Sequence, residues 1–481
     1  MRPFNNYCKL PKVSYTKLEL KKRNIIFLTF LNLFDKVRHL FAVGVNKMLL
    51  PVKSGSNINW HFYFGTALIL INGERMRIFK LSIALLSGLF LAFSPIAFAK
   101  VTGNTITLGS AISFTGKYSS NGIHASNGYN LGIKRVNEMG GVKVGGKTYK
   151  FKVKYYDDES TPARGAQLAE RLIKQDNIKY FLGPYSSGLT KAIAPVTEKY
   201  KIPMVEAEGA SRSLFTQGYR YLFAVLSTSE QYLASSIGLA AVINKKNGKS
   251  PGDVKVAMAF ENDPFSLDIR AGVMDDVKKH GLKIVIDDKL PRDLSDMTPT
   301  LRKAKALKAD LLVVSGHSKG AATLGRQIIE MKVKVPMIAV THCEAAKLIK
   351  KFGADVNGLL CPTQWAETLT YSGKYFGSAG EYDKLFKATF DGYKNVPYQA
   401  AQATAAVLVW AEAFERANSF DTEELRDALA ATDMKTFYGN IRFSKAGNNI
   451  AKPMVLRQIQ NGKLNVVAPP EWASHPVEWP R

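Results

Sequence analysis

Two sets of residues in this 481-residue chain could do chemistry. The first is Gly316-His317-Ser318-Lys319-Gly320, a G-x-S-x-G run between a strand-like segment (310–315) and a helical one (321–331). A serine in such a turn can act as a nucleophile when an acid and then a histidine follow it. Only His342 and His475 follow, Glu330 is the one acid before His342, and no HGGG-type oxyanion run lies upstream. Serine hydrolysis is therefore disfavoured. The second set is a series of loops at 113–120, 183–188, 206–213, 261–266, 316–320, 341–344 and 363–365, rich in Ser, Thr, Gly and aromatic residues. Hydroxyls beside helix-start amides suit a small carboxylate or other anion. Tyr118, Tyr185, Phe265 and Trp365 could wall an apolar substituent. Any one of these loops is ordinary turn chemistry. Their recurrence after successive strands is what points to binding.

Strands and helices must alternate to place loops in that way. Strand-like runs at 105–112, 179–182 and 202–206 alternate with helical runs ending near Met139, near Gln175 and near Tyr200. The helix near 139 stops at Gly140-Gly141, and Ser160-Thr161-Pro162 reads as a helix cap. Gly145-Gly146 between 142–144 and 149–156 reads as a hairpin, with Lys150, Lys152 and Lys154 on a solvated face. The order repeats with strands at 254–260, 283–287, 310–315 and 337–340 and helices at 266–280, 298–307 and 321–331. Such βαβα order implies parallel sheets with helices on both faces. Two blocks, 105–223 and 254–363, imply two similar lobes, with binding loops at the carboxyl ends of strands.

The runs ITLGSAISFTGKYSSNG, GYNLGIKRVNEMGGV, FKVKYYDDESTPARGAQLAERLI and GPYSS resemble the amino-terminal lobe of the periplasmic leucine/isoleucine/valine-binding proteins. These are type I solute-binding proteins of ABC importers, a branched-chain amino acid and amide family. The resemblance continues through DLLVVSGHSKGAATLGRQIIEMKV, NGLLCPTQW and PYQAAQATAAVLVWAEAFERA, and covers nearly all of 104–467. It implies an α/β fold of two Rossmann-like lobes with parallel sheets, joined by a three-crossover hinge. The first lobe would be 100–223 plus 364–444, the second 224–363 plus 445–481. By the resemblance, the loop at 185–188 holds a ligand carboxylate, which singles out Ser186 and Ser187. The loop of Glu208, Gly209, Ala210 and Ser211 supplies a carbonyl, an amide and a hydroxyl. Phe265, His317 and Thr341 line the second lobe, and Tyr118 faces the cleft from the first. Where the family's amino-acid binders carry a tyrosine this chain has His317, and where they carry a glutamate for the ligand ammonium it has Thr341. Glu208 could meet an ammonium instead, or be a solvated loop acid. An amino acid, an amide or a carboxylate thus stays open as ligand, and a ligand-sensing module of a receptor is the alternative to a transporter component.

The resemblance implies a protein that is not an enzyme, with permease subunits as partners. A monomer without cofactor or nucleic acid is expected. The chain holds no CxxC, HExxH or P-loop run, and His124 and His280 read as surface residues on helices. The formal net charge is +26, yet the first 99 residues carry 9 Lys and 5 Arg against Glu19, Asp35 and Glu74, a net +11. Residues 76–99, MRIFKLSIALLSGLFLAFSPIAFA, have the basic start, short apolar core and small-x-small end of a secretory signal. Translation is expected to start at Met76, with 1–75 a mis-assigned extension, and the product to be periplasmic. The remaining +15 carries no concentrated basic run, so nucleic-acid binding loses its support. Export permits a disulfide between Cys343 and Cys361, the only cysteines after the signal. Both the bonded and the free form stay open.

Overall fold

The structure is a computed structural model that describes residues 101–481. The signal-like segment 76–99 and the extension 1–75 lie outside the described residues. Two seven-stranded sheets organise the molecule. The first contains β1 (Val101–Thr102), β2 (Thr105–Ile112), β3 (Val142–Val144), β4 (Lys147–Asp157), β5 (Phe181–Leu182), β6 (Met204–Glu206) and β7 (Leu222–Ala224). Their spatial order is β3-β4-β2-β5-β6-β7, with β1 beside β2. β4, β2, β5, β6 and β7 run parallel, and β3 closes the edge as the antiparallel arm of the Gly145-Gly146 hairpin. Helices α1 (Ser119–Glu138), α2 (Pro162–Lys174) and α3 (Ser187–Lys199) connect them. β2 is buried from Ile106 to Ile112, as a central parallel strand with both faces covered must be. Thr161 precedes α2, but its hydroxyl donates to the Glu159 carbonyl at 3.3 Å and caps no helix amide. Pro162 starts that helix through its fixed φ alone.

The second sheet contains β8 (Lys255–Glu261), β9 (Lys283–Leu290), β10 (Leu311–Ser315), β11 (Met337–Val340) and β12 (Leu360–Thr363), then β13 (Val455–Gln460) and β14 (Lys463–Ala468). The order is β14-β13-β12-β11-β10-β8-β9, with β12 to β9 parallel and β13 and β14 antiparallel. Its helices are α4 (Ala234–Lys246), α5 (Pro264–His280), α6 (Thr298–Ala306) and α7 (His317–Glu330). In both sheets the chain order reverses direction beside the first strand of the block. Such switch points open a crevice at the strands' carboxyl ends.

Helix α8 (Tyr398–Ala417) returns to the first lobe and packs against α1. Every residue from Tyr398 to Ala411 is buried. The two helices approach closely because α1 offers Gly128: a Cβ there would lie 2.1 Å from the Ala400 carbonyl oxygen. No side chain fits that gap.

Three crossings join the lobes, near 225–233, 363–366 and 450–454. Residues Gly447 and Asn449 still hydrogen-bond to Ala224 of β7, so the third crossing falls a few residues beyond the expected 445. One residue from each crossing meets the others. Ser227 N–H donates to Gln364 Oε1 (3.1 Å), Gln364 Nε2 donates to the Ser227 carbonyl (2.9 Å), and Ser227 Oγ donates to the Lys452 carbonyl (2.6 Å). Lys452 Nζ donates back to the Gln364 carbonyl and stands 4.4 Å from the Tyr438 ring centre. Burial pushes the Lys452 amine down to about 7.

Candidate ligand site between the lobes

The strand-end loops of the two lobes face each other and touch. The centre of contact is Tyr185, which follows β5 and is 2 % exposed. Its hydroxyl meets Asn121 Nδ2 of α1 at 2.8 Å, His317 Nδ1 at 3.0 Å and His342 Nε2 at 3.0 Å. Three partners on one phenol join both lobes at a single atom. Tyr118, His317, Phe265 and His342 pack ring against ring around it, with centroids 5.0–5.8 Å apart. Tyr232 and Tyr398 extend this aromatic wall from the hinge and from α8.

His317 and His342 both adopt positive φ (53° and 67°). For non-glycine residues this is uncommon and clusters where function constrains the backbone. The expected helix over 321–331 starts four residues earlier, at His317, so the GHSKG run is a helix start. Ser318 Oγ donates to Asn121 Oδ1 across the cleft and has no histidine partner among the described residues, which therefore offer it no base. His317 Nε2 pairs with Asp263 at 2.5 Å. Burial works against the Asp263 charge, but the facing His317 holds its carboxyl below the usual range. Burial raises Glu261, which Lys117 meets from the first lobe. Burial, then the charge of His317, pushes His342 well below its ordinary value, so its imidazole is neutral.

The first lobe supplies the opposite side. Ser186 sits at φ 82° before α3, and its Oγ accepts from Leu189 N–H at 3.4 Å. The amides opening α3 have no intrahelical partner, as at any helix start, and carry the positive end of its dipole. Ser187 Oγ accepts from Ser211 N–H at 3.0 Å, which leaves its own hydrogen to donate. The loop 208–211 is braced from below. The Glu206 carboxylate accepts from the amides of Glu208 and Gly209 (2.5 and 2.8 Å) and from Thr190 Oγ1 (2.9 Å). Gly209 is required there, since a Cβ would lie 2.3 Å from Thr190 Oγ1. The Ala210 carbonyl accepts from Ser229 N–H. The Glu208 and Gly209 amides and the Ala210 carbonyl thus help to hold the loop in shape.

Glu208 is not a solvated acid. It is 6 % exposed, its Oε2 accepts from Gln402 Nε2 at 2.9 Å, and its Oε1 has no partner. Burial raises its carboxyl well above the usual range. His342 Nδ1 and both amide atoms of Gln399 are likewise buried without partners. Buried polar groups are nearly always satisfied, so unpartnered ones beside a cleft mark where a ligand or water belongs.

Other expected residues lie elsewhere. Trp365 is fully buried in the first-lobe core, its ring edge-on to Tyr382 and its Nε1 donating to the Phe437 carbonyl at 3.1 Å. It walls no pocket. Thr341 is buried below the wall, its hydroxyl 3.3 Å from Ser315 Oγ. His124, read as a surface residue, is 3 % exposed and meets Tyr393 at 2.7 Å, because α1 is covered on that side by the loop before α8. Cys343 and Cys361 form a disulfide with Cα atoms 5.9 Å apart. Asn121, Asp263, Tyr232, Tyr398 and Gln402 were given no role by the sequence. Asp263-Pro264 is a legible helix start, but nothing in the spacing of the other four marks them.

The model of one family, described as periplasmic binding protein, matches residues 105–463. This chain belongs to the periplasmic binding protein family. That family binds solutes rather than transforming them. A Leu/Ile/Val-binding protein homolog 8 from Brucella suis is 23 % identical over 82 % of this chain and 97 % of its own length. The substrate-binding protein LivJ from Streptococcus pneumoniae, solved with isoleucine, superposes with a TM-score of 0.64 at 21 % identity, covering 76 % of this binding protein and all of LivJ. A solute-binding protein from R. palustris, solved with benzoate, superposes with a TM-score of 0.63 at 18 % identity, covering 76 % of this chain and 96 % of that one. Two lobes of the type I periplasmic binding fold are thus shared with binders of chemically different ligands.

Removing the Ser187 hydroxyl takes away both the acceptor for Ser211 N–H and a donor beside the α3 amides. Ser187→Ala is expected to weaken ligand binding by roughly 1–3 kcal/mol, read by titration calorimetry. Unchanged affinity would remove this hydroxyl from the site.

Proposed function

We propose that this chain is the exported substrate-binding protein of an ABC importer, and that it captures a small ligand bearing a carboxylate, such as an amino acid, an amide-containing acid or an aromatic acid. Binding would close the lobes, and the closed form would hand its ligand to the permease. The observation that carries this reading is the site's donor set, with the Ser186 and Ser187 hydroxyls and the start of α3 on one side. Neutral His342 and the Tyr185 hydroxyl stand on the other. Such groups hold an anion away from water, and the aromatic wall suits an apolar substituent. A thermal-shift screen over amino acids, amides and carboxylates tests it. A true ligand at 100 times its Kd should add about 2.7 kcal/mol to stability. If no compound in these classes raises the melting temperature, the reading fails.

Glu208 separates the ligand classes. Burial disfavours its charge until something cationic arrives. For a simple carboxylate ligand, Glu208→Gln should leave affinity within about threefold, since glutamine keeps the shape and can donate as the acid does. For an α-amino acid the same change removes the ammonium's counter-charge, and affinity should fall at least about a hundredfold. Calorimetry on the screened ligand decides between them.

The exported form would begin at Lys100, after the Ala97-Phe98-Ala99 end of the signal-like run. N-terminal sequencing of protein recovered from the periplasm should read Lys-Val-Thr. A peptide from residues 1–75 in that protein would overturn both the cleavage and the proposed start.

A further inference from the structure

A cavity of about 230 Å³ lies on the lobe seam and shares no residue with the candidate ligand site. It opens between the segment at 343–350 and strands β13 and β14 on one side, and the 392–397 loop with His124 of α1 on the other. Its floor is apolar, built from Leu348, Ile459, Leu464 and Pro397. Its rim is cationic, with Lys347, Lys350 and Lys394. None of these lysines has a carboxylate within ion-pair distance among the described residues, and Lys347 keeps its place at φ 55°. Glu344 is the one acid in the lining, and it is already bound to Arg457. Burial, then the Lys347 charge across the seam, pushes His124 down to about 3, so this ring adds a neutral polar edge held by Tyr393.

An apolar floor under three unpaired ammonium groups matches one kind of ligand. We propose that this seam cavity is a second binding site, for a small amphipathic anion: a short alkyl or monocyclic chain in the floor and a carboxylate at the lysine rim. Its volume is below the roughly 300–1,000 Å³ of drug-sized sites, which sets the size class. Because both lobes line it, an occupant favours the form in which they touch, and so couples to the main site through closure. The inference rests on the cavity and its charges, and not on the ligand proposed for the cleft.

Ligand-observed NMR with hexanoate tests it, with hexyltrimethylammonium as a probe of the same chain and opposite charge. Hexanoate should give saturable binding and the cation none. Lys347→Glu combined with Lys394→Glu should weaken hexanoate at least tenfold, while the charge-matched reversal Lys147→Glu with Lys152→Glu at exposed positions of β4 leaves it unchanged. The lysines are exposed, so the double variant is expected to fold, and an unchanged melting curve checks that. Three results would each overturn the proposal: no saturable hexanoate binding, equal binding of the cation, or hexanoate binding that the Lys347 and Lys394 reversals weaken no more than the Lys147 and Lys152 reversals do. Failure here leaves the thermal-shift result for the cleft untouched.

Discussion

Replacing Arg457 by leucine is expected to destabilise the protein by roughly 3–5 kcal/mol, the cost of leaving a buried charge unpaired. Arg457 lies in β13, is 1 % exposed, and pairs with Glu344, itself 9 % exposed. Burial already draws Arg457 down to about 9, a sign of how poorly the surroundings solvate charge. Arg457→Leu combined with Glu344→Leu should regain most of the loss, since removing both charges also removes their desolvation cost. Urea denaturation of the two variants measures the difference. Equal stability of the single variant and the wild type would mean that Glu344 is neutral or solvated in the native state.

Cleaving the Cys343–Cys361 bridge should have the next largest effect. The two cysteines are 18 residues apart, and a loop of that size in the unfolded chain is worth about 3 kcal/mol when closed. The double variant Cys343→Ser/Cys361→Ser should lose about that much, read as a lower denaturation midpoint. The bridge also stands next to the site. Cys343 follows His342, and Cys361 is paired in register with Arg457. Ligand affinity should therefore fall along with stability, since His342 needs its positive φ to reach Tyr185. A loss of stability with ligand affinity intact would show that the ion pair alone positions His342. The two devices share neighbours, so their effects should not add simply.

The alternation of strands and helices was legible because it depends on local burial. β2 and β11 fall at their expected bounds because buried parallel strands are continuous apolar runs between turn residues. The third crossing was less legible, since an edge bridge at 447–449 leaves no periodic trace. The first-lobe half of the site could be read from serines and glycine at strand ends. Its second-lobe half could be read only in outline. Which partners gather on Tyr185 is decided by packing between residues 64 to 157 positions apart, beyond the reach of any spacing rule. Trp365 shows the opposite failure. An aromatic after a strand can turn toward the cleft or the core, and a large indole with a carbonyl in reach was drawn to the core. His124 was read by average exposure, which fails where a neighbouring loop covers the surface.

The knot of Ser227, Gln364 and Lys452 has a mechanical consequence. Three separate connecting strands could flex or shear independently, and the lobes could then twist as well as open. Bonded side chain to backbone across all three, they share one stiffness, and relative motion is confined to fewer degrees of freedom. Any opening of the lobes would then be rotation about a single axis through these residues, and every loop of one lobe would meet its counterpart in the same register at each closure.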